Sequence, residues 1–184
     1  MKKIAIIGSG GHASSLIDLI MSTNKFKIYG YFDKTKNTKI NLEYLGNDSE
    51  ISNHKIKYAA MGIGLALPSK KKMEIIKKYL SLGINFPSLI HQSSYVAKTS
   101  EIHEGVQIFA GTVINTNTII KSHSIINTGS IIEHDSFIGE NSFICPGSII
   151  LGSCKIGKNT IIGTKNIILP NTKVLDNSFI KAKI

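Results

Sequence analysis

INTGSIIEHDSFIGENSFI, residues 126–144, places an isoleucine at every sixth position: Ile126, Ile132, Ile138 and Ile144. A helix repeats every 3.6 residues and a strand every 2, so neither accounts for a period of six. Followed outward, the series begins at Ile90 and runs through Val96, Ile102, Ile108, Ile114 and Ile120 into this stretch. Beyond it come Ile150, Ile156, Ile162, Ile168, Val174 and Ile180, giving sixteen successive aliphatic residues without an insertion. Four residues after the aliphatic a small side chain recurs, as at Ser124, Ser130, Ser136, Ser142, Ser148, Cys154 and Thr160, with Asn166 an exception. Three residues after it, Gly129, Asp135, Asn141, Gly147 and Asn159 are types that tolerate left-handed backbone at a tight corner. Three such hexapeptides close a triangular turn, and successive turns stack as parallel strands about 4.8 Å apart. The pattern predicts an all-β, left-handed parallel β-helix of about five coils over residues 87–184.

Ahead of the repeat the period changes. Lys3–Ile7 reads as a short buried strand, Gly8-Ser9-Gly10-Gly11-His12-Ala13 as a glycine turn of the G-x-G-x-x-A type, and Ser14–Met21 as a helix. A second strand, Phe26–Phe32, ends at Asp33, where an acid that binds a ribose is expected. A third unit follows: strand Ile56–Met61, turn Gly62-Ile63-Gly64 and helix Ser69–Leu82. Residues 1–86 are thus expected to form a small α/β, Rossmann-like β-α-β domain with a truncated parallel sheet and a nucleotide at its helix N-terminus. It is too short for a complete six-stranded dinucleotide fold, which argues against a dehydrogenase.

The net charge of +10 invites an anionic partner, but the lysines are scattered and tryptophan is absent. Without a basic cluster carrying interleaved aromatics, nucleic acid is not expected. No apolar span of transmembrane length occurs, so membrane insertion is not expected either, and a cytoplasmic setting is the default. Cys145 and Cys154 provide neither a disulfide framework nor metal-ligand spacing, and no metal is expected.

Acyl transfer from a thioester requires a base that works near neutral pH, a role histidine fills. Of six histidines, His54 falls in a polar linker, while His91, His103 and His123 read as surface residues of the coils. His134 is flanked by Glu133 and Asp135, either of which could fix its tautomer, and should point outward beside a corner. Eighteen residues further on, one coil away, Gly152 leaves an open shelf beside it. A backbone N–H there could steady an oxyanion.

Together, the hexapeptide repeat, Gly8-Ser9-Gly10-Gly11-His12 and Ile132-Glu133-His134-Asp135 resemble the sialic acid O-acetyltransferase NeuD family. That family of hexapeptide-repeat acetyltransferases includes the UDP-4-amino-sugar N-acetyltransferase PglD, and the likeness runs from Ile4 to about Ile180. It implies an acetyltransferase that moves acetyl from acetyl-CoA, as cosubstrate, to the amino group of a nucleotide-linked amino sugar in glycan biosynthesis. It also implies a homotrimer with active sites between neighbouring β-helices. Gly10, Gly11, His12, Asp33, Lys34 and Gly62 would bind the sugar nucleotide, and Asn127 would lie near the acceptor sugar. His134 would be the catalytic base, with Glu133 or Asp135 orienting it. Acetyl-CoA would run past Phe143, Gly152, Thr164 and Ala182, Phe143 standing where some relatives carry a second histidine. Two alternatives keep the fold: O-acetylation of a sialic-acid-like hydroxyl, and a non-catalytic sugar-nucleotide-binding scaffold.

Overall fold

The computed structural model describes residues 1–47, 49–64, 68 and 70–182. The chain divides into two compact units, the first comprising Met1–Gly64 and Lys71–Pro87. Its centre is a three-stranded parallel sheet in the order β2-β1-β3, formed by β1 (Lys2–Ile7), β2 (Phe26–Phe32) and β3 (Ala59–Met61). The middle strand carries the unbroken apolar run Ile4-Ala5-Ile6-Ile7, fully buried as a parallel strand covered on both faces must be. Helix α1 (Gly11–Ser22) buries Ala13, Leu16, Leu19 and Ile20, one stripe at helical spacing.

Two elements differ from their sequence-based bounds. Helix α1 begins at Gly11 rather than Ser14, because Gly10 in extended conformation already acts as its N-cap and its carbonyl accepts the Ala13 N–H at 2.9 Å. Strand β3 is confined to three residues, because its register with β1 runs only from Ala5↔Ala59 to Ile7↔Met61. The second helix, α2 (Lys71–Ser81), lies within the expected span, whose first residue Ser69 is outside the described residues. His54 is not an idle linker residue: its Nε2 lies 3.0 Å from the Leu45 carbonyl and its ring packs edge-on against Phe32.

Helix α2 also buries Lys72, and this burial pushes its ammonium down to about 7 from the ordinary 10.5. The unfolded chain therefore holds more protons than the folded one between these two values, so stability rises with pH across that window. Lys72→Met removes the effect. The variant is expected to exceed wild type in stability by up to about 4 kcal/mol at pH 7, with the gap closing as pH approaches 10.5. Urea unfolding at a series of pH values reads this directly.

The second unit contains the whole repeat from Ser88 onward. Sixteen two-residue strands, from β4 (Leu89–Ile90) to β19 (Phe179–Ile180), recur every six residues. They stack into three parallel sheets of six, five and five strands, so the chain forms a left-handed β-helix of five coils. Ile126 pairs with Ile108 on one side and Ile144 on the other, 18 residues away each way. The inward aliphatics form one continuous core, with Ile108, Ile114, Ile120, Ile126, Ile132 and Ile138 wholly inaccessible to water. At the corners φ turns positive, from +55° at Asn117 to +68° at Gly111. His123, Ser153 and Lys165 adopt it too, types the corner rule did not anticipate.

Where the small side chain of a hexapeptide is a hydroxyl, it has a specific partner. Ser124 Oγ donates to the Gly139 carbonyl at 2.7 Å, Ser142 to Gly157 at 2.8 Å and Ser148 to Gly163 at 2.9 Å. Asn166 performs the same task through Nδ2, which donates to the Lys181 carbonyl at 2.9 Å. A corner carbonyl sealed inside the prism would otherwise cost about 1–3 kcal/mol, which explains hydroxyls where alanine would fit.

Two exposure expectations fail. His123 is buried at 5% exposure, not on the surface, because its ring occupies the space above Gly105, which has no side chain to exclude it. Ile125 and Phe143, each directly before an inward aliphatic, should point outward into water by the alternation of the repeat, yet they are 1% and 8% exposed. Gln107 and Ile161, which flank them in the same sheet, are buried as well. No helix among the described residues is long and apolar enough to cross a membrane.

Candidate active site

Strands β11 (Ile131–Ile132) and β12 (Phe137–Ile138) are joined by Glu133-His134-Asp135-Ser136. Ile132 and Ser136 point inward and are buried, which leaves the three polar residues outside. Asp135 takes the left-handed corner conformation at φ +57°, and its carboxylate turns back to its own neighbour. His134 Nδ1 donates to Asp135 Oδ2 at 2.8 Å, and Asn117 Nδ2 on the preceding coil donates to Oδ1 at 3.1 Å. The hydrogen bond from His134, and after it that from Asn117, holds the Asp135 carboxyl below the usual carboxylate range. Glu133 takes no part in this, since its Oε2 accepts from Asn115 Nδ2 at 2.9 Å. Of the two flanking carboxylates, Asp135 is therefore the one on the imidazole.

A carboxylate can only accept, so Nδ1 carries the proton and Nε2 presents a lone pair. A methyl group on Gly152 would lie 2.7 Å from both Nε2 and Cε1, so the imidazole occupies space that any other residue there would claim. Among the described residues the Gly152 N–H has no hydrogen-bond partner. The corner thus offers a proton acceptor and a backbone donor side by side, both on rigid stacked strands.

The other residues named for acceptor and CoA lie elsewhere on the prism. Asn127 is one hexapeptide earlier, at the neighbouring corner, where its Oδ1 accepts the Thr128 N–H at 2.8 Å. Thr164 and Ala182, both exposed, follow the paired residues Ile162 and Ile180 and share that corner. Phe143 is buried in the six-stranded sheet. Within one chain, Gly152 alone of this set lies beside His134.

In the N-terminal unit, an added methyl group at Gly10 or Gly11 would meet nothing within 4 Å, so the first turn of α1 is open on that side. Free N–H groups at a helix N-terminus make a ready anion site. Asp33 binds the turn itself: Oδ2 accepts the Ser9 N–H at 2.8 Å and its hydroxyl at 2.5 Å, and Oδ1 accepts the Lys34 N–H at 2.7 Å. Asn37 Nδ2 adds a bond to the Ser9 carbonyl at 2.6 Å. Gly62 is a packing residue, because a methyl there would fall 2.7 Å from the Gly8 carbonyl and 3.0 Å from Ala13 Cβ. Gly64 lies against His12, 3.2 Å from its Cβ by the same measure. Ser9, Asn37, Asn115 and Asn117 were not singled out in the sequence. The last two could have been found by stepping back 18 residues from Glu133 and Asp135. No cluster of three metal-ligating side chains occurs among the described residues.

Residues 3–78 match the PglD N-terminal domain, and residues 135–169 match the bacterial transferase hexapeptide of six repeats. In both parts the chain resembles the PglD-like hexapeptide proteins. No curated protein matches it in sequence. Among solved structures, this PglD-like protein superposes on a mutant of GDP-perosamine N-acetyltransferase from Caulobacter crescentus in complex with CoA and GDP-perosamine. The TM-score is 0.79 at 20% identity, covering 99% of this chain and 94% of that one. The acetyltransferase domain of PglB from Neisseria gonorrhoeae, in complex with acetyl coenzyme A, gives 0.79 at 18% identity, covering 98% and 96%. Both share the two-part fold of the PglD-like protein along nearly its full length.

Proposed function

We propose that this PglD-like protein transfers acetyl from acetyl-CoA to the amino group of a nucleotide-linked amino sugar, of the UDP-4-amino-sugar type, with His134 as general base. The observation that carries the reading is the His134–Asp135 pair lying over Gly152. The two-part fold supports it, being shared with proteins solved with CoA and with GDP-perosamine.

Nε2 of His134 accepts a proton as the sugar amine attacks the thioester carbonyl and the C–N bond forms. Asp135 on Nδ1 stabilises the imidazolium, and the Gly152 N–H faces the developing oxyanion. Collapse of the tetrahedral intermediate breaks the C–S bond, and the imidazolium returns its proton to the departing CoA thiolate. Gly10, Gly11 and His12 receive the nucleotide phosphates at the α1 N-terminus, with Lys34 toward the base, while Asp33 and Gly62 hold the turns in place. Because Thr164, Ala182, Phe143 and Asn127 come from other parts of the prism, a path uniting them with Gly152 needs a second β-helix alongside. A homotrimer supplies it.

An acceptor panel tests the assignment. CoA-thiol release is measured with UDP- and GDP-linked 4-amino sugars and with a sialic-acid-type acceptor offering only hydroxyls. Release is expected with the amino sugars, with the preferred base identifying the nucleotide. Release confined to the hydroxyl acceptor would replace amide formation by ester formation.

A further inference from the structure

The corner column that holds Asp135 can be compared with the next corner of the same prism. There Asn141 Nδ2 donates to Asn159 Oδ1 at 3.0 Å, and Asn159 Nδ2 donates to Asn177 Oδ1 at 2.7 Å. Asn159, the middle rung, accepts from the coil before and donates to the coil after. In the His134 column the residues are Asn117, Asp135, Ser153 and Asn171, all with φ between +55° and +61°. Asn117 donates to Asp135 Oδ1 as that ladder requires. Asp135 has no amide to pass on, and Ser153 follows it instead of an asparagine. Its second oxygen is turned sideways instead, onto His134 Nδ1 at 2.8 Å. The ladder is interrupted at one rung, and the interruption faces the candidate base.

We infer that Asn117 is a positioning residue, fixing Asp135 so that His134 is kept in the Nδ1–H tautomer with Nε2 unprotonated. The consequence for catalysis rests on the reading of His134 as the base, while the tautomer itself does not. Neutral imidazole in water prefers its proton on Nε2, so a carboxylate released to solvent would let the ring revert. One amide donor on one carboxylate oxygen decides whether the nitrogen facing the substrate carries a proton. The same amide helps keep Asp135 ionised, which the imidazolium formed during transfer requires.

The corner conformation allows a clean test, because glycine and aspartate both adopt positive φ. Asn117→Gly keeps the corner and removes the donor; Asn117→Asp keeps the shape and sets a second carboxylate against Asp135. Nitrogen-15 shifts of the His134 ring, read at a pH where it is neutral, report the tautomer. Wild type is expected to show Nδ1–H, and Asn117→Gly a shift of most of the population to Nε2–H. The kcat for acetyl transfer should fall about tenfold with KM within about twofold, and Asn117→Asp should fall further than Asn117→Gly. Asn171→Gly, in the same column but not bonded to the pair, should leave tautomer and kcat unchanged. If Asn117→Gly kept the wild-type tautomer and rate, Asn117 would be a corner residue only and the inference would be overturned. A tautomer shift in a protein whose acetyl transfer survives His134→Ala would uphold the positioning contact and overturn the base assignment instead.

Discussion

His134→Ala is expected to lower kcat for acetyl transfer about a thousandfold, in the middle of the range for a general base. The ring is half-exposed on a corner and contributes nothing to the aliphatic core, so the variant should melt close to wild type. KM for the sugar nucleotide should change little, because the phosphates are assigned to the α1 N-terminus and not to the imidazole. A residual rate above background is expected from orientation of the two substrates and the Gly152 N–H. Steady-state thiol release at saturating substrates separates these contributions.

Ile138→Asp should have the largest effect on stability. Ile138 is wholly buried, stacked in register between Ile120 and Ile156, and surrounded by aliphatic carbons and methylenes. A carboxylate there has no partner and no water, so the cost exceeds about 5 kcal/mol, enough to unfold the central coils. In a solenoid each turn is supported only by its neighbours, so position along the stack matters. Ile180→Asp, at the last and partly buried rung, should fray one end and lower the melting temperature by only a few degrees. Thermal unfolding followed by circular dichroism compares the two. Similar melting for both would show that the coils do not share one continuous core.

The β-helix was legible because its signal cannot slip: a single insertion would move every later isoleucine out of the core. His134 was legible as the histidine between two carboxylates at a corner. Which carboxylate serves it depends on φ, since Asp135 at +57° bends back onto the ring while Glu133 reaches Asn115. The asparagines that hold both acids stand 18 residues away, and nothing in their local sequence distinguishes them from other corner residues. Burial of His123 escaped for a related reason, being set by the bare Gly105 one coil before it. In the N-terminal unit the glycine turn was legible as a turn at a helix N-terminus, but Gly10 and Gly11 read as part of the turn ahead of a helix starting at Ser14. They are the cap and first residue of that helix, as a site for an anion needs. Asp33 sat at the position of a ribose-binding acid, yet its two oxygens hold Ser9 and Lys34. Spacing along the chain cannot show that a carboxylate is already engaged.

Incubating the protein with acetyl-CoA and a nucleotide-linked 4-amino sugar, then recovering the sugar for mass spectrometry, tests the central assignment most directly. The expected result is the mass of one acetyl group gained as an alkali-stable amide with wild type, and none on the same timescale with His134→Ala. A sugar recovered unchanged from wild type, while acetyl-CoA still stabilises the fold against heat, would contradict it.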